Sequence, residues 1–417
     1  MIFKSKCPDI KIPQVGIYQY VTSNPNKISD DKIIYLDGIT GKRYTFGKFK
    51  HESKKFAAGL QDKLEFKRGD VLAVFSHNQV DHPIILFGAI AAGGKVTVEN
   101  PKYKTLEELS YHLTDSGASV LIVHPECFEV VIEASINAKI PTSRVFLFGD
   151  KEIKGYKPYR SILIGDREIE PIIYTPEEAK STTAYIVYTS GTTGKPKGVE
   201  RTHANVTAAL AQLTVVDDKL GPHSIILGVV PVRHVYSLDN ILHAPLIHGA
   251  TTIIHPGFNL KTFCESVQKY KITHIFGYPS IIFELVNDPL AQQFDLSSMN
   301  MFISAGTQLR DKLQRKFYEM FKTPILQHYG STEMGTSLSS LTMKSTIPDS
   351  CGNLLPNIQA KILSEDGREL GFNELGELCI QGPNVMKGFL NKKEVTDAVI
   401  DKDGFYSTGD IVYADKQ

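Results

Sequence analysis

Tryptophan is absent from this 417-residue chain, and its absence excludes no function. Other shortages say more. Cysteine is scarce, with five thiols at positions 7, 127, 264, 351 and 379, no CxxC pair and an odd count. That scatter reads as reduced, mostly buried thiols of an intracellular protein. Net charge is lacking as well, because 46 Lys and Arg balance 46 Asp and Glu. Nothing in this balance suggests a nucleic-acid binder, which would show a basic face. The start "MIFKSKCPDIKIPQ" has no apolar signal core. The longest apolar stretch, around "PIILFGAIAAGG", is too short to span a bilayer. No segment is of low complexity and no short-period repeat occurs. The remainder is ordinary, with 22% charged and 42% hydrophobic residues. The length exceeds what one small core can organise, so several structural units are expected.

Periodicity then supplies an architecture. "KIIYLDGITGKRYTF" reads as a hairpin around a glycine-bearing turn. From about residue 70, strand-like runs ("VLAVF", "KVTVE", "SVLIVH", "RVFLF") alternate with helical patterns such as "TLEELSYHLTDSG". A second alternation runs through "IILGVVPV", a helix to "LIHGA", "TTIIH", "LKTFCESVQKY", "THIFGY", "SIIFELVND", "MFISAG", "LRDKLQRKFYEMF" and "PILQHYG". Apolar strands alternating with amphipathic helices predict parallel sheets covered on both faces. From about residue 345, "IQAKILSEDG", "GELCIQG" and "FYSTGDIVY" read as short strands of a small β-unit. The expected fold class is therefore α/β: two doubly wound, mostly parallel sheets plus a small distorted β-barrel. The expected units are about 70–190, 191–344 and 345–417. Ligands in such folds sit at the carboxyl ends of the strands.

One stretch stands apart, "IVYTSGTTGKPKGVERTH" at 186–203. Most of it reads as neither helix interior nor strand interior. Glycines let backbone N–H groups turn inward into an anion-binding nest, hydroxyls add donors and lysines add charge. That chemistry suits a polyphosphate. The spacing is not that of a Walker loop, which needs four residues between its first glycine and Gly-Lys, followed by Ser or Thr. Here two intervene and Pro196 follows Lys195. Nor is it the GxGxxG dinucleotide turn. The bland alternative is a surface loop of turn residues.

"YTSGTTGKPKGVERTH" closely resembles the signature of the adenylate-forming enzymes, which include acyl-CoA synthetases, luciferases and peptide-synthetase adenylation domains. Further blocks resemble the family in order: "VVPVRHVYSL", "FISAGTQL", "QHYGSTEMG", "CGNLLPN", "GELCIQGPNVMKGFLN" and "DGFYSTGD". They look like those of 4-coumarate–CoA ligase and its acyl-CoA ligase relatives, and the match covers nearly the whole chain. The resemblance implies ATP-dependent conversion of a small carboxylic acid to an acyl-AMP, then thioester formation with coenzyme A. The partners it implies are ATP, Mg²⁺, CoA and the acid.

The resemblance also implies roles. Thr189, Ser190, Gly191, Thr192, Thr193, Gly194 and Lys197 match the phosphate loop, which would steer ATP's outer phosphates. Thr332 and Glu333 match a Thr-Glu pair, the hydroxyl for the α-phosphate and the carboxylate for Mg²⁺, whose hard cation takes oxygen ligands. Tyr329 matches the aromatic residue that stacks on adenine. Ala305, Gly306, Thr307, Gln327, His328 and Gly330 would line the same nucleotide pocket. Asp410 matches the aspartate that accepts both ribose hydroxyls, although "STGD" also suits a turn or helix cap. His234 matches the histidine near the acyl carboxylate. Tyr236, Tyr278, Ala305, His328 and Met334 would line the acyl pocket with it. A lone histidine or strand-end tyrosine is more often structural, and only the surrounding blocks shift that balance.

Some positions depart from the family pattern. Arg233 replaces an aromatic residue, and could meet an anionic group or form a local salt bridge. Ala305 and His328 replace glycines of many aryl-CoA ligases, which predicts a narrower or more polar pocket. Gln381 replaces an arginine and reads as structural. In the family a hinge and a C-terminal lid domain follow the Asp410 block, with a hinge arginine that holds ribose and a lysine that serves adenylation. Neither lies within these 417 residues, so a piece of a longer enzyme is expected, able to bind nucleotide and acyl-adenylate but weak in catalysis. A cytoplasmic or peroxisomal location is expected. Two other readings stay open: an adenylating or luciferase-like enzyme that passes its acyl-AMP elsewhere, and a non-catalytic nucleotide-binding form.

Overall fold

A computed structural model describes residues 1–189, 195–216, 220–340 and 349–416. In chain order it begins with β1 (Ile2–Lys4) and a hairpin of β2 (Ile33–Asp37) and β3 (Arg43–Thr45). A βα run carries β4 (Val71–Phe75), β5 (Lys95–Glu99), β6 (Ala118–Val123) and β7 (Val145–Leu147). Next come β8 (Thr183–Thr189) and β9 (Lys197–Thr202). A second run carries β10 (Ile225–Gly228), β11 (Thr251–Ile254), β12 (His274–Gly277), β13 (Met301–Ser304) and β14 (Ile325–Ser331), and β15 (Gly335–Ser339) turns back on the last. Then follow β16 (Asn353–Leu354), β17 (Gln359–Leu363), β18 (Gly376–Gln381), β19 (Gly388–Phe389) and β20 (Tyr406–Val412).

These strands form three sheets. The first is seven-stranded, ordered β19-β9-β8-β5-β4-β6-β7, and parallel from β8 to β7. The second is nine-stranded, ordered β16-β15-β14-β13-β12-β10-β11-β2-β3, and parallel from β14 to β2. The third is antiparallel, ordered β1-β17-β18-β20. The two mostly parallel sheets agree with the expectation. The small β-unit is this four-stranded sheet. Sheet membership crosses the expected boundaries in three places: β9 and β19 join the first sheet, and β16 joins the second. Before residue 70, the 33–45 hairpin extends the nine-stranded sheet and β1 joins the last.

The elements form where the pattern places them. All five residues of β4 are buried, as a continuous apolar run in a sheet covered on both faces should be. The helix Leu260–Tyr270 buries Leu260, Phe263, Cys264 and Val267, one face at helical spacing. Asn259 caps it by accepting from Thr262 N–H. Burying Phe263 and Val267 contributes about 1.5–3 kcal/mol each.

Three expectations need correction. The 186–203 stretch is largely strand: β8 runs to Thr189 and β9 starts at Lys197, so the loop is only its centre. The hydroxyl and charged residues of β9 concealed a strand with a buried inner edge. The strand of "IILGVVPV" ends at Gly228, and the helix after it is interrupted by a π-turn at Leu238–His243. The thiols are unpaired, but only Cys264 and Cys379 are buried; Cys7 and Cys127 are half-buried and Cys351 is exposed. Among the described residues, no helix is long and apolar enough to cross a membrane.

Candidate active site

Each large sheet ends its parallel run in an antiparallel hairpin. In the seven-stranded sheet this is β8–β9, whose tip lies between Thr189 and Lys197. In the nine-stranded sheet it is β14–β15, whose tip is Thr332-Glu333-Met334. Thr189 and Lys197 are half-buried and face each other across the first hairpin. Lys197 Nζ lies 5.3 Å from the Phe389 ring centre. Ser190, Gly191, Thr192, Thr193 and Gly194 fall outside the described residues.

The second tip is tight. A register shift between Tyr329 and Gly330 bends β14 just before it. A Cβ on Gly330 would stand 1.9 Å from Gly335 O, so only glycine fits this close approach. Glu333 is buried, with Tyr406 facing its carboxylate. Burial, reinforced by that negative charge, raises the Tyr406 phenol. Thr332 is half-buried beside it, and Met334 is fully buried behind it.

One segment joins the two hairpins. Met386 N–H donates to Glu333 O at 2.6 Å, and the Asn384 amide donates to Met334 O. Three and six residues on, the same chain reaches the other hairpin. Leu390 N–H donates to Gly198 O at 2.7 Å, and Lys387 N–H donates to Glu200 O at 3.0 Å. Asn205 anchors the start of this strap by donating to Pro383 O and Val385 O at 2.9 and 2.7 Å.

Strand register assembles the rest. Gly277 pairs with Ser304, and Ser304 pairs with Gln327. The next residues, Tyr278, Ala305 and His328, therefore stand side by side at the carboxyl edge. Tyr236 donates from its hydroxyl to Ile303 O at 2.9 Å. Its ring lies 6.4 Å from Tyr278 and 6.2 Å from His328. Tyr236, Ala305 and Met334 belong to one apolar cluster, with Tyr278 and Tyr329 against it. A cavity of about 20 Å³ opens behind His328, bounded by Val216, Asn240, Ala244, Phe276 and Ile303.

His234 meets the Tyr278 ring edge-on at 6.4 Å. Burial, with the Arg233 charge adding, pushes its imidazole down to about 4. It is therefore neutral at pH 7. Arg233 makes a local ion pair, with Nε 3.6 Å from Glu99 Oε1. Gly306 and Thr307 are exposed beyond β13, and Gly306 takes φ +87°. Gln327 is buried and donates to Gln314 at 3.2 Å. Across from them, the Tyr329 hydroxyl donates to Asp410 Oδ2 at 2.6 Å, which links the nine-stranded sheet to β20. Gln381 donates to Asp403 O at 2.9 Å, a structural contact.

Several supports carry no sequence signal of their own. Arg201 forms a bidentate pair with Asp239, both nearly fully buried, tying β9 to the helix that follows Tyr236. Asn78, at the end of β4, donates to Val230 O and accepts from Val232 N–H, which fixes the segment leading to His234. Nothing in the spacing of these residues joins the partners, which lie 38 and about 150 positions apart.

Comparison with known proteins gives the family and the fold. Residues 23–390 match the family model described as AMP-binding enzyme. The chain is 33% identical over 426 residues to 4-coumarate–CoA ligase 3 of Arabidopsis thaliana, spanning 100% of this chain and 74% of that protein. A long-chain-fatty-acid–CoA ligase from Archaeoglobus fulgidus superposes with a TM-score of 0.88 at 25% identity, covering 99% of this chain and 84% of that one. ATP-bound MatB from Rhodopseudomonas palustris superposes at 0.84, with 22% identity over 96% of this chain and 76% of its own, a likeness of fold alone.

Proposed function

This chain belongs to the AMP-binding enzyme family, and we propose that it activates a small carboxylic acid with ATP and then forms the CoA thioester. The observation that carries the reading is the meeting of two unlike hairpin tips across one strap. One supplies Lys197 after a glycine-rich sequence, and the other supplies Thr332 and a buried Glu333. Cationic and N–H donors suit phosphates, whereas a hydroxyl beside a carboxylate suits a hard cation. This oxygen donor set fits Mg²⁺, which when bound would neutralise phosphate charge.

The chain's own residues then divide the work. Lys197 and residues 189–194 hold the outer phosphates. Thr332 donates to the α-phosphate. The Tyr329 ring packs against adenine while its hydroxyl holds Asp410 in place for the ribose. His234 is neutral, so it orients the acid by donating one N–H and does not bind it as a cation. Tyr236, Tyr278, Ala305, His328 and Met334 shape the acyl pocket. His328, where glycine would leave space, favours a compact acid. Gly306, Thr307, Gln327 and Gly330 provide the nucleotide's floor. The units 70–190, 191–344 and 345–417 serve as the working division, with β9, β16 and β19 exchanged between sheets.

The test is acid-dependent ATP–pyrophosphate exchange across a panel of aliphatic and aromatic acids, followed by thioester formation with CoA. Exchange with a compact acid supports the reading. ATP binding without exchange for any acid would overturn it.

A further inference from the structure

Away from the nucleotide residues, the carboxyl edge of the seven-stranded sheet gathers a second set of chemical groups. Strands β4 and β6 are adjacent and parallel, with Phe75 opposite Val123. Each run continues into a histidine just past the strand, His77 and His124. His124 N–H still donates to Phe75 O at 3.0 Å, so the sheet itself fixes its backbone. The two rings lie 4.0 Å apart, inclined at 57°. A short 3₁₀ turn, Pro125–Cys127, then brings Glu126 over both rings.

The distances within this cluster are unusual. Glu126 Oε2 lies 3.6 Å from His77 Nδ1 and 3.9 Å from His124 Nδ1. Both are too long for hydrogen bonds, yet one carboxylate oxygen faces both nitrogens. One ligand atom from each of the three residues lies within 4.8 Å of the others. Metal–ligand bonds of about 2.0–2.1 Å at tetrahedral angles give ligand–ligand edges of about 3.4 Å. The two carboxylate–imidazole gaps are thus within a few tenths of an ångström of such edges.

We propose that His77, His124 and Glu126 bind a divalent transition ion of the zinc class, at a site separate from the nucleotide centre. Two imidazoles and one carboxylate suit zinc, cobalt or nickel and do not suit Mg²⁺. Gln79 stands 2.9 Å from His77 Nε2. That amide contact fixes the orientation of the His77 ring, as partners of metal-bound histidines do. The ion displaces one long bond, the 3.3 Å donation from Glu126 N–H to His124 Nδ1. Lys102 opposes it, since its charge also reaches His77. Glu126 is exposed, so ions can enter and a fourth position stays open to water.

The site has a structural consequence. Asn78 follows His77 directly and clamps the segment that leads to His234. An ion would lock the end of β4 to the turn after β6 and stiffen the foot of that clamp.

The test titrates chelator-stripped protein with Co²⁺ in the presence of excess Mg²⁺, following visible absorption and the unfolding temperature. The expected result is a single Co²⁺ per chain with an intense tetrahedral spectrum, displaced by Zn²⁺, and an unfolding temperature that rises with Zn²⁺. His77→Asn and His124→Asn should abolish both signals. Glu126→Gln alters only an exposed side chain, so it folds, and it should weaken binding at least tenfold. Absence of uptake overturns the proposal. So does uptake unchanged in all three variants, or a sulfur-to-cobalt band that assigns the ion to cysteine.

Discussion

The two hairpins that end the parallel runs are built alike and equipped oppositely. Each adds an antiparallel strand to a parallel sheet, and each is flanked by a two-residue strand, β19 beside β9 and β16 beside β15. The β8–β9 tip is long and rich in glycine and hydroxyls. The β14–β15 tip has three residues, with a buried carboxylate under a backbone bulge. By sequence the first offers lysines, glycines and hydroxyls, and the second presents oxygens. An anionic substrate carrying a cation needs both, and the 384–390 strap holds the two at a fixed separation.

Breaking the oxygen side should have the largest effect. Glu333→Gln keeps the shape of the tip but removes its charge. Exchange should fall about 10²–10³-fold, the scale of losing one preorganised electrostatic contact in an active site. An unchanged rate would show that the second tip is only structural. Next comes the donor side. Lys197→Ala should reduce exchange about tenfold to a hundredfold, mainly through the KM for ATP, because Lys197 is only half-buried. A change in the KM for the acid alone would place it elsewhere.

Loosening the link between the tips should have a smaller, different effect. Asn384→Ala removes donations to Met334 O and Ser337 Oγ from a fully buried position. A stability loss of about 1–3 kcal/mol follows from the carbonyl and hydroxyl left unpaired. Chemical denaturation measures it, and kcat should drop more than either KM if the strap positions both tips. The smallest effect is a pH dependence at the foot of the first hairpin. His203 follows β9 directly and is buried, which pushes it down to about 3. Its folded pKa lies below its unfolded value, so the stability it contributes is present above about pH 6.5 and falls away as pH drops toward 3. The unfolding temperature should therefore decline from pH 7 to pH 5, less steeply in His203→Asn.

Much of this was legible in the sequence, and for physical reasons. Apolar runs of four to seven residues mark strands buried on both faces, and nearly all were found within a residue or two. The blocks around 189, 234, 305, 329, 333 and 410 were legible because residue chemistry defines them. The β9 strand was not, because "KGVERT" lacks an apolar run. Its strand character comes from pairing with β8 and β19. The strap lies in the block "GELCIQGPNVMKGFLN", but what it joins was not legible: its Met386, Lys387 and Leu390 bonds run backbone to backbone and so carry no side-chain identity. Arg201–Asp239 and Asn78 with the 230–232 segment are contacts between distant positions that tertiary structure alone creates.

One small element sets an order of events. Strand β1 pairs with β17, placing Ile2 opposite Lys361. A ribosome adds about 5–20 residues per second, so Ile2 waits roughly 20–70 s before its partner exists. Strand β1 is thus paired long after it is synthesised. Until then its amide edge stays open to any other strand nearby, and chaperone demand should concentrate around β1 in the nascent chain.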